Sequence, residues 1–174
     1  MFLDNPAIQR RYSEFKSEKR SMLMRLKQDI ADLDYPDELE VLFPDPSDIT
    51  HLVINYTPDK ESLWSDLCIP FSLEIPVSYP FKPPRLTCLR PPFHPNINSN
   101  GVVCLNIVRE DWKPIYTLNH VIQGIISLFY SVSADDPLNE EAAKLMVENP
   151  IKFRDHCVKA FEATPNSIAD LSNK

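Results

Sequence analysis

Glycine is nearly absent: the 174 residues hold 2 glycines against 17 prolines. Chain reversals are therefore left to proline, asparagine, aspartate and serine, and stiff loops follow. Cysteine pairs with metal-ligand spacing are missing. Cys68, Cys88, Cys104 and Cys157 include no Cys-x-x-Cys pair, and the histidines are scattered. No zinc framework fits, and no metal is expected. In a reducing compartment all four remain free thiols. Free cysteine is usually a small buried hydrophobe, which is the expectation for Cys68, Cys88 and Cys157. No apolar run can span a bilayer; the longest, Val121 to Tyr130, is broken by Gln123 and Ser127. Met1-Phe2-Leu3-Asp4 lacks the basic and apolar regions of a signal peptide. A cytoplasmic and nuclear protein is expected, without membrane contact. A basic surplus is also lacking, at a net charge of −7. That excludes a broad nucleic-acid surface, which needs a basic stripe.

What is present suits one domain with a single substantial core. Charge is uneven along it. Residues 9–27 carry Arg10, Arg11, Lys16, Lys19, Arg20, Arg25 and Lys27 against Glu14 and Glu18. This segment is either a solvated helix face or a surface for an acidic partner. Residues 8–33 read as helix. Ile8, Tyr12 and Phe15 share one face, and Met22, Leu23, Leu26, Ile30 and Leu33 continue an apolar stripe. It is one helix or two, with 17–21 as the candidate joint and Pro36 as the stop.

Alternation then predicts strands at Leu39–Phe43, at Leu52–Tyr56, over nine residues at Leu67–Ile75, and at Leu86–Cys88. Pro70 suggests an edge position or a bulge for the third. From Pro91 to Tyr116 no period holds, which marks a functional loop. Helical spacing returns in Leu118–Phe129 and after Asn139. It returns again after Asn149-Pro150, an N-cap followed by proline at the first helical position. The tail from Thr164 to Lys174 is polar and expected to fray. Segregated strands and helices make the class α+β: an N-terminal helix, a four-stranded antiparallel meander, an irregular loop and three C-terminal helices.

Within the irregular loop, residues 94–104 read His-Pro-Asn-Ile-Asn-Ser-Asn-Gly-Val-Val-Cys. This resembles the active-site signature of the ubiquitin-conjugating enzymes, as do Tyr79-Pro80-Phe81-Lys82-Pro83-Pro84, Trp112-Lys113-Pro114 and Asp136-Pro137-Leu138-Asn139 around it. All four stand in family order, over roughly residues 22–162. The run Cys104 to Pro114, with Arg109-Glu110-Asp111, is most similar to the neddylation branch. The chain departs from the pattern in three places, the first being Ile115-Tyr116, atypical beside Trp112-Lys113-Pro114. No glycine lies in residues 59–68, so the hairpin there must be remodelled. Ser131-Val132-Ser133-Ala134 replaces the usual acidic Pro-Asn-Pro element.

The resemblance implies a monomeric transferase of the ubiquitin-conjugating fold. It would take a Nedd-type modifier from an activating enzyme as a thioester on Cys104. It would then pass the modifier to a substrate lysine, on cullins, with a RING-type ligase. No cofactor is implied, since ATP is consumed by the activating enzyme. A ubiquitin carrier is the alternative. A non-catalytic modifier-binding variant is a third reading, against which Cys104 itself argues. The implied layout is an N-terminal arm at 1–20, a catalytic domain at 21–163 and a tail at 164–174.

Each site residue has a plain reading beside the functional one. Cys104 lies among polar residues in the irregular loop, which favours access; a thiolate both attacks and leaves well. By residue type alone it is catalytic or a core thiol. The Asn96 amide supplies a donor for the oxyanion formed when an amine attacks a thioester; it is also a turn former. His94 invites a general-base role, but bracing of the loop is preferred. Asp136 resembles the carboxylate that positions the incoming lysine and accepts its proton; otherwise Asp136 or Asp135 caps the next helix. Phe81, Lys113 and Pro114 resemble the ligase-docking surface. Trp112 reads as core packing. Tyr79-Pro80 is a candidate cis peptide. Met1, Phe2, Leu3 and Ile8 are expected to form a partner-binding arm, with a disordered or self-packed tail as the alternative. Met1-Phe2 resembles the start of neddylation enzymes, where a bulky second residue keeps the methionine and permits its acetylation, which removes the terminal charge.

Overall fold

A computed structural model describes residues 6–163. Met1, Phe2 and Leu3 of the expected arm, and the tail from Thr164, lie outside the described residues. The long N-terminal periodicity forms one helix, α1 (Pro6–Ala31), with Pro6 in its first turn. It runs unbroken through 17–21, so the candidate joint is absent. Two stretches share this helix. Residues 6–21 are exposed throughout, and burial begins at Met22, followed by Leu26 and Asp29. Tyr12 and Phe15 therefore face solvent, 56% and 48% exposed. The helix stops at Ala31, short of Pro36. Asn119 serves its end instead. The Asn119 amide donates to the Asp32 carbonyl at 2.7 Å and accepts from the Asp34 N–H at 3.0 Å.

Four strands follow: β1 (Leu39–Leu42), β2 (His51–Tyr56), β3 (Ile69–Glu74) and β4 (Arg85–Cys88). They pair antiparallel in the order β1-β2-β3-β4. Alternation puts Leu52, Ile54, Tyr56, Ile69, Phe71, Leu73, Leu86 and Cys88 into the core. Two expectations need correction here. Pro70 sits in an inner strand, paired with Asn55 on β2. It is tolerated because β4 pairs only as far as Phe71↔Cys88. The Pro70 carbonyl accepts from Leu89 at 2.8 Å, just past that ladder, where the missing N–H breaks no strand pair. The nine-residue strand is also shorter than its alternation, because Leu67 and Cys68 belong to the preceding turn.

That turn is the glycine-free hairpin. Asp66 takes the positive φ, 70°, that a glycine would supply; aspartate tolerates this region better than most residues. Arg154 steadies the turn, donating to the Ser62 carbonyl at 3.1 Å and to Asp66 at 3.4 Å. Trp64 inserts into the core and donates to the Phe93 carbonyl at 2.9 Å. Cys68, expected inside, is left exposed by the same turn.

The core closes under α2 (Leu118–Tyr130), whose Val121, Ile122, Ile125 and Phe129 are buried. Phe129 meets Tyr56 and Phe71 of the sheet edge-on, with centroids 5.4 and 6.3 Å apart. Two more helices complete the chain, α3 (Glu140–Glu148) and α4 (Pro150–Ala163). Asn139 caps α3 through Ala142, and Asn149 caps α4 through Lys152, each at 3.0 Å.

Candidate active site

The irregular segment is shaped from its buried end outward. His94 is 0% exposed, tilted against Trp64 at 4.4 Å and edge-on to Phe129 at 5.2 Å. Its Nδ1 accepts from the Asn96 N–H at 2.9 Å, which leaves Nε2–H to donate to the Leu128 carbonyl at 2.9 Å. Burial pushes its pKa down to about 4, against the smaller opposing effect of the Leu128 bond. A neutral ring with both nitrogens engaged and no access to solvent is a brace between loop and α2. It has no free nitrogen to serve as a base.

The chain then reverses on Gly101, at φ 79°. A Cβ here would collide with the Cys88 carbonyl oxygen, so the second scarce residue type proves essential at this turn. Asn98 holds the reversal, its side-chain oxygen accepting from Asn100 and Val102 at 3.0 Å each. Cys88 N–H donates to the Gly101 carbonyl at 2.9 Å. The strand-like return brings the Cys104 N–H onto the Asn96 carbonyl at 2.9 Å. Nucleophile and amide donor, eight positions apart in sequence, thus share one backbone hydrogen bond.

Cys104 is half-buried at a cleft of about 410 Å³ that Asn96, Asn106, Ser127, Ser133 and Asp136 also line. A slightly larger hollow, about 480 Å³ between Glu74, Lys82 and Arg85, is lined by no cysteine. Asp136 is exposed, at φ 49°. Neither it nor Asp135 caps α3, since Asn139 does that. The structure therefore gathers Cys104, Asn96 and Asp136 around one space and sets His94 behind them. The other thiols differ in kind. Burial pushes Cys88 and Cys157 up to about 12 each, far from a usable thiolate at neutral pH. Cys68 is exposed but does not line the cleft.

One neighbour of the sulfur was not picked out by residue type. A short 3-10 turn, Asn106–Val108, brings Arg109 back so that its Nη1 lies 3.7 Å from Cys104 Sγ. Its five-residue separation from Cys104 was the available signal, and it reads as a turn only once the chain is seen to coil there.

The second exposed feature is apart from the cleft. Phe81 is 79% exposed, and Lys113 and Pro114 are exposed. Ile115, 76% exposed, extends the patch. Trp112 is half-buried and packs on the core, as its residue type suggested. Its Nε1–H donates to the Pro80 carbonyl at 2.7 Å, joining the two loops. The Tyr79-Pro80 bond is cis.

Residues 25–161 match the ubiquitin-conjugating enzyme family. The chain belongs to that family. Among its relatives, "Nedd8-conjugating enzyme UbcE2M" of Drosophila melanogaster is 36% identical over 137 residues, 79% of this chain and 75% of the relative. "NEDD8-conjugating enzyme UBC12" of Saccharomyces cerevisiae is 40% identical over 136 residues, 75% of this chain and 72% of the relative. The solved structure of S. cerevisiae Ubc12 superposes with a TM-score of 0.73 at 35% identity, covering 87% of this chain and 88% of that one. The chain is thus a conjugating transferase for a ubiquitin-like protein, built on the ubiquitin-conjugating fold.

Proposed function

We propose that this conjugating enzyme carries a NEDD8-type modifier as a thioester on Cys104 and delivers it to a lysine of a cullin with a RING-type ligase. The modifier assignment is supported by the names of the relatives. The site assignment is carried by one observation: Cys104 opens on a cleft shared with the Asn96 amide and the Asp136 carboxylate.

In the first step the Cys104 thiolate attacks the thioester carbonyl carbon held on the activating enzyme. The activating enzyme's sulfur leaves as thiolate. In the second, a neutral lysine amine attacks the same carbonyl on Cys104. The Asn96 side-chain N–H donates to the oxyanion. The C–S bond then breaks, Cys104 returns as thiolate and an isopeptide amide remains. Only roughly one lysine in a thousand is neutral near pH 7.4. Asp136 positions that amine and takes its surplus proton. Arg109, 3.7 Å from the sulfur, donates toward it as it leaves. No cofactor is needed on this chain.

The arm belongs to the same reading. Acetylated Met1 and Phe2, with Leu3, anchor a cullin-ligase cofactor, because an uncharged end enters an apolar pocket without burying an unpaired ammonium. The exposed helix from Ile8 onward then docks on the activating enzyme. A cytoplasmic and nuclear location accords with this role. The test is charging with purified activating enzymes, each paired with its own modifier. A thiol-sensitive adduct with NEDD8 and none with ubiquitin is expected; the reverse result makes this a ubiquitin carrier.

A further inference from the structure

Arg25 belongs by sequence to the basic, solvated stretch of α1, yet its side chain is turned against the protein. Nε donates to Asp29 Oδ1 at 2.9 Å, Nη1 to the Pro114 carbonyl at 3.0 Å and Nη2 to the Tyr116 carbonyl at 2.7 Å. Asp29 is only 4% exposed, and its other oxygen accepts from the Tyr79 hydroxyl. The guanidinium also lies over the Tyr79 ring, 5.7 Å from its centroid. Burial and the Asp29 bond push the Tyr79 phenol well up, so it remains a donor. Together α1 grips both exposed loops, the one carrying Phe81 through Asp29 and Tyr79, the one carrying Lys113-Pro114-Ile115 through Arg25.

We propose that Arg25 is a positioning residue for ligase-stimulated transfer, fixing the Lys113–Ile115 loop against α1 at the spacing from Phe81 that a ligase engages. This rests on the reading of Phe81 and Pro114 as the ligase face. One planar fork addresses two main-chain carbonyls and a carboxylate at once, which a lysine, with its three donors on one compact nitrogen, cannot span. Trp112 ties the two loops to each other through the Pro80 carbonyl and the Tyr79 ring, while Arg25 ties the Lys113–Ile115 loop to α1. Arg25 lines no part of the Cys104 cleft, so its loss should act on ligase engagement rather than on thioester chemistry.

The experiment compares discharge of the charged full chain to free lysine, without ligase and across a titration of a purified RING ligase–cullin complex. The variants are Arg25→Lys and the pair Arg25→Met with Asp29→Asn, which avoids leaving a buried carboxylate unpaired. Phe81→Ala is the control. Half-maximal stimulation should need about ten-fold more ligase in the paired variant, since a loop that holds the binding register only part of the time weakens apparent affinity by that fraction. Arg25→Lys should shift it less. Unaided discharge should stay within about two-fold and the saturated rate should hold. Unchanged half-saturation in both Arg25 variants, with Phe81→Ala impaired, overturns the proposal alone. No shift in all three overturns the ligase-face reading beneath it. An equal fall in aided and unaided discharge marks a general loss of structure and also overturns it.

Discussion

On one side of the cleft, residues 94–104 are held at nearly every position: His94 to Leu128 and Asn96, Asn98 to the backbone of its own turn, Gly101 to Cys88, Cys104 to Asn96. Across from them, Ser131 and residues 133–136 are exposed, with Ser131 N–H on Ser127 and Asp135 N–H on Ser133 among their bonds. Under the proposed function the nucleophile and the oxyanion donor are set in place before any substrate arrives, and the carboxylate stands on the open side, where the lysine enters. Preset geometry lowers the reorganisation needed in the transition state, and an open wall admits substrates of different shape.

The sharpest test of the bonded wall removes its sulfur. Cys104→Ala should abolish the modifier adduct, and Cys104→Ser should convert it to a thiol-resistant oxyester, both read on gels after charging. An adduct surviving in Cys104→Ala would move the chemistry to Cys68, the other thiol that burial does not disable.

Asn96→Ala comes next. Its backbone carbonyl would still receive the Cys104 N–H, so the wall should persist while the side-chain donor is lost. Charging should stay near normal, while discharge to lysine should slow roughly 10²–10³-fold. Equal loss in both steps, with a lower melting temperature, would make Asn96 a purely structural member of the wall.

Sequence pattern and structure agree where side-chain period governs. The strand order, the helices and the Asn149 cap follow from residue spacing, whereas the Asn139 cap does not, since Asp135 or Asp136 was the expected alternative there. They part where one residue reaches across the fold. Pro70 looked like an edge signal because its missing donor is visible in sequence, but the length of the neighbouring strand is not. Cys68 looked internal by residue type, although the alternation that buries Leu67 and Ile69 points it outward. Trp64, the largest fully buried side chain, drew no notice because the turn around it is polar. Arg25 and Arg109 read as surface charge, since their partners are main-chain carbonyls and a sulfur that no periodicity identifies. Cys104 and Asn96 were singled out from one local motif and Asp136 from a second, and the structure places all three on one cleft. His94's burial was not legible, as it depends on Trp64 and Phe129 arriving from elsewhere.

That burial gives the wall a pH dependence. His94 titrates near 4 in the native state against an ordinary value of 6.5. The unfolded chain therefore binds more protons than the folded one between those values, and stability falls as pH drops through that window. The full loss is about 3 kcal/mol, or roughly 10 °C in melting temperature for a chain of this size. Asp48, held down to about 2 by Thr50 and His51, acts below this window. Melting curves at pH 7, 6, 5 and 4 read the loss, and an NMR titration assigns it. A His94 ring that protonates near 6.5 with no change in melting would remove the brace.

The open wall should give the smallest effect and the most specific one. Asp136 holds φ 49°, so Asp136→Ala confounds two changes, loss of the carboxylate and strain of an alanine in the left-handed region. Asn tolerates that region and matches the shape, so Asp136→Asn isolates the charge. Charging should be unaffected, because no amine takes part. Discharge to lysine should fall about ten-fold near neutral pH, less than the roughly 10²–10⁴-fold of a buried general base, because Asp136 is exposed and water can share its role. Raising the pH increases the neutral fraction of the incoming amine. The deficit should therefore shrink toward pH 9 in Asp136→Asn but not in Asn96→Ala, whose missing donor is needed at every pH. Parallel pH–rate profiles for the two variants would mean that both walls contribute only geometry.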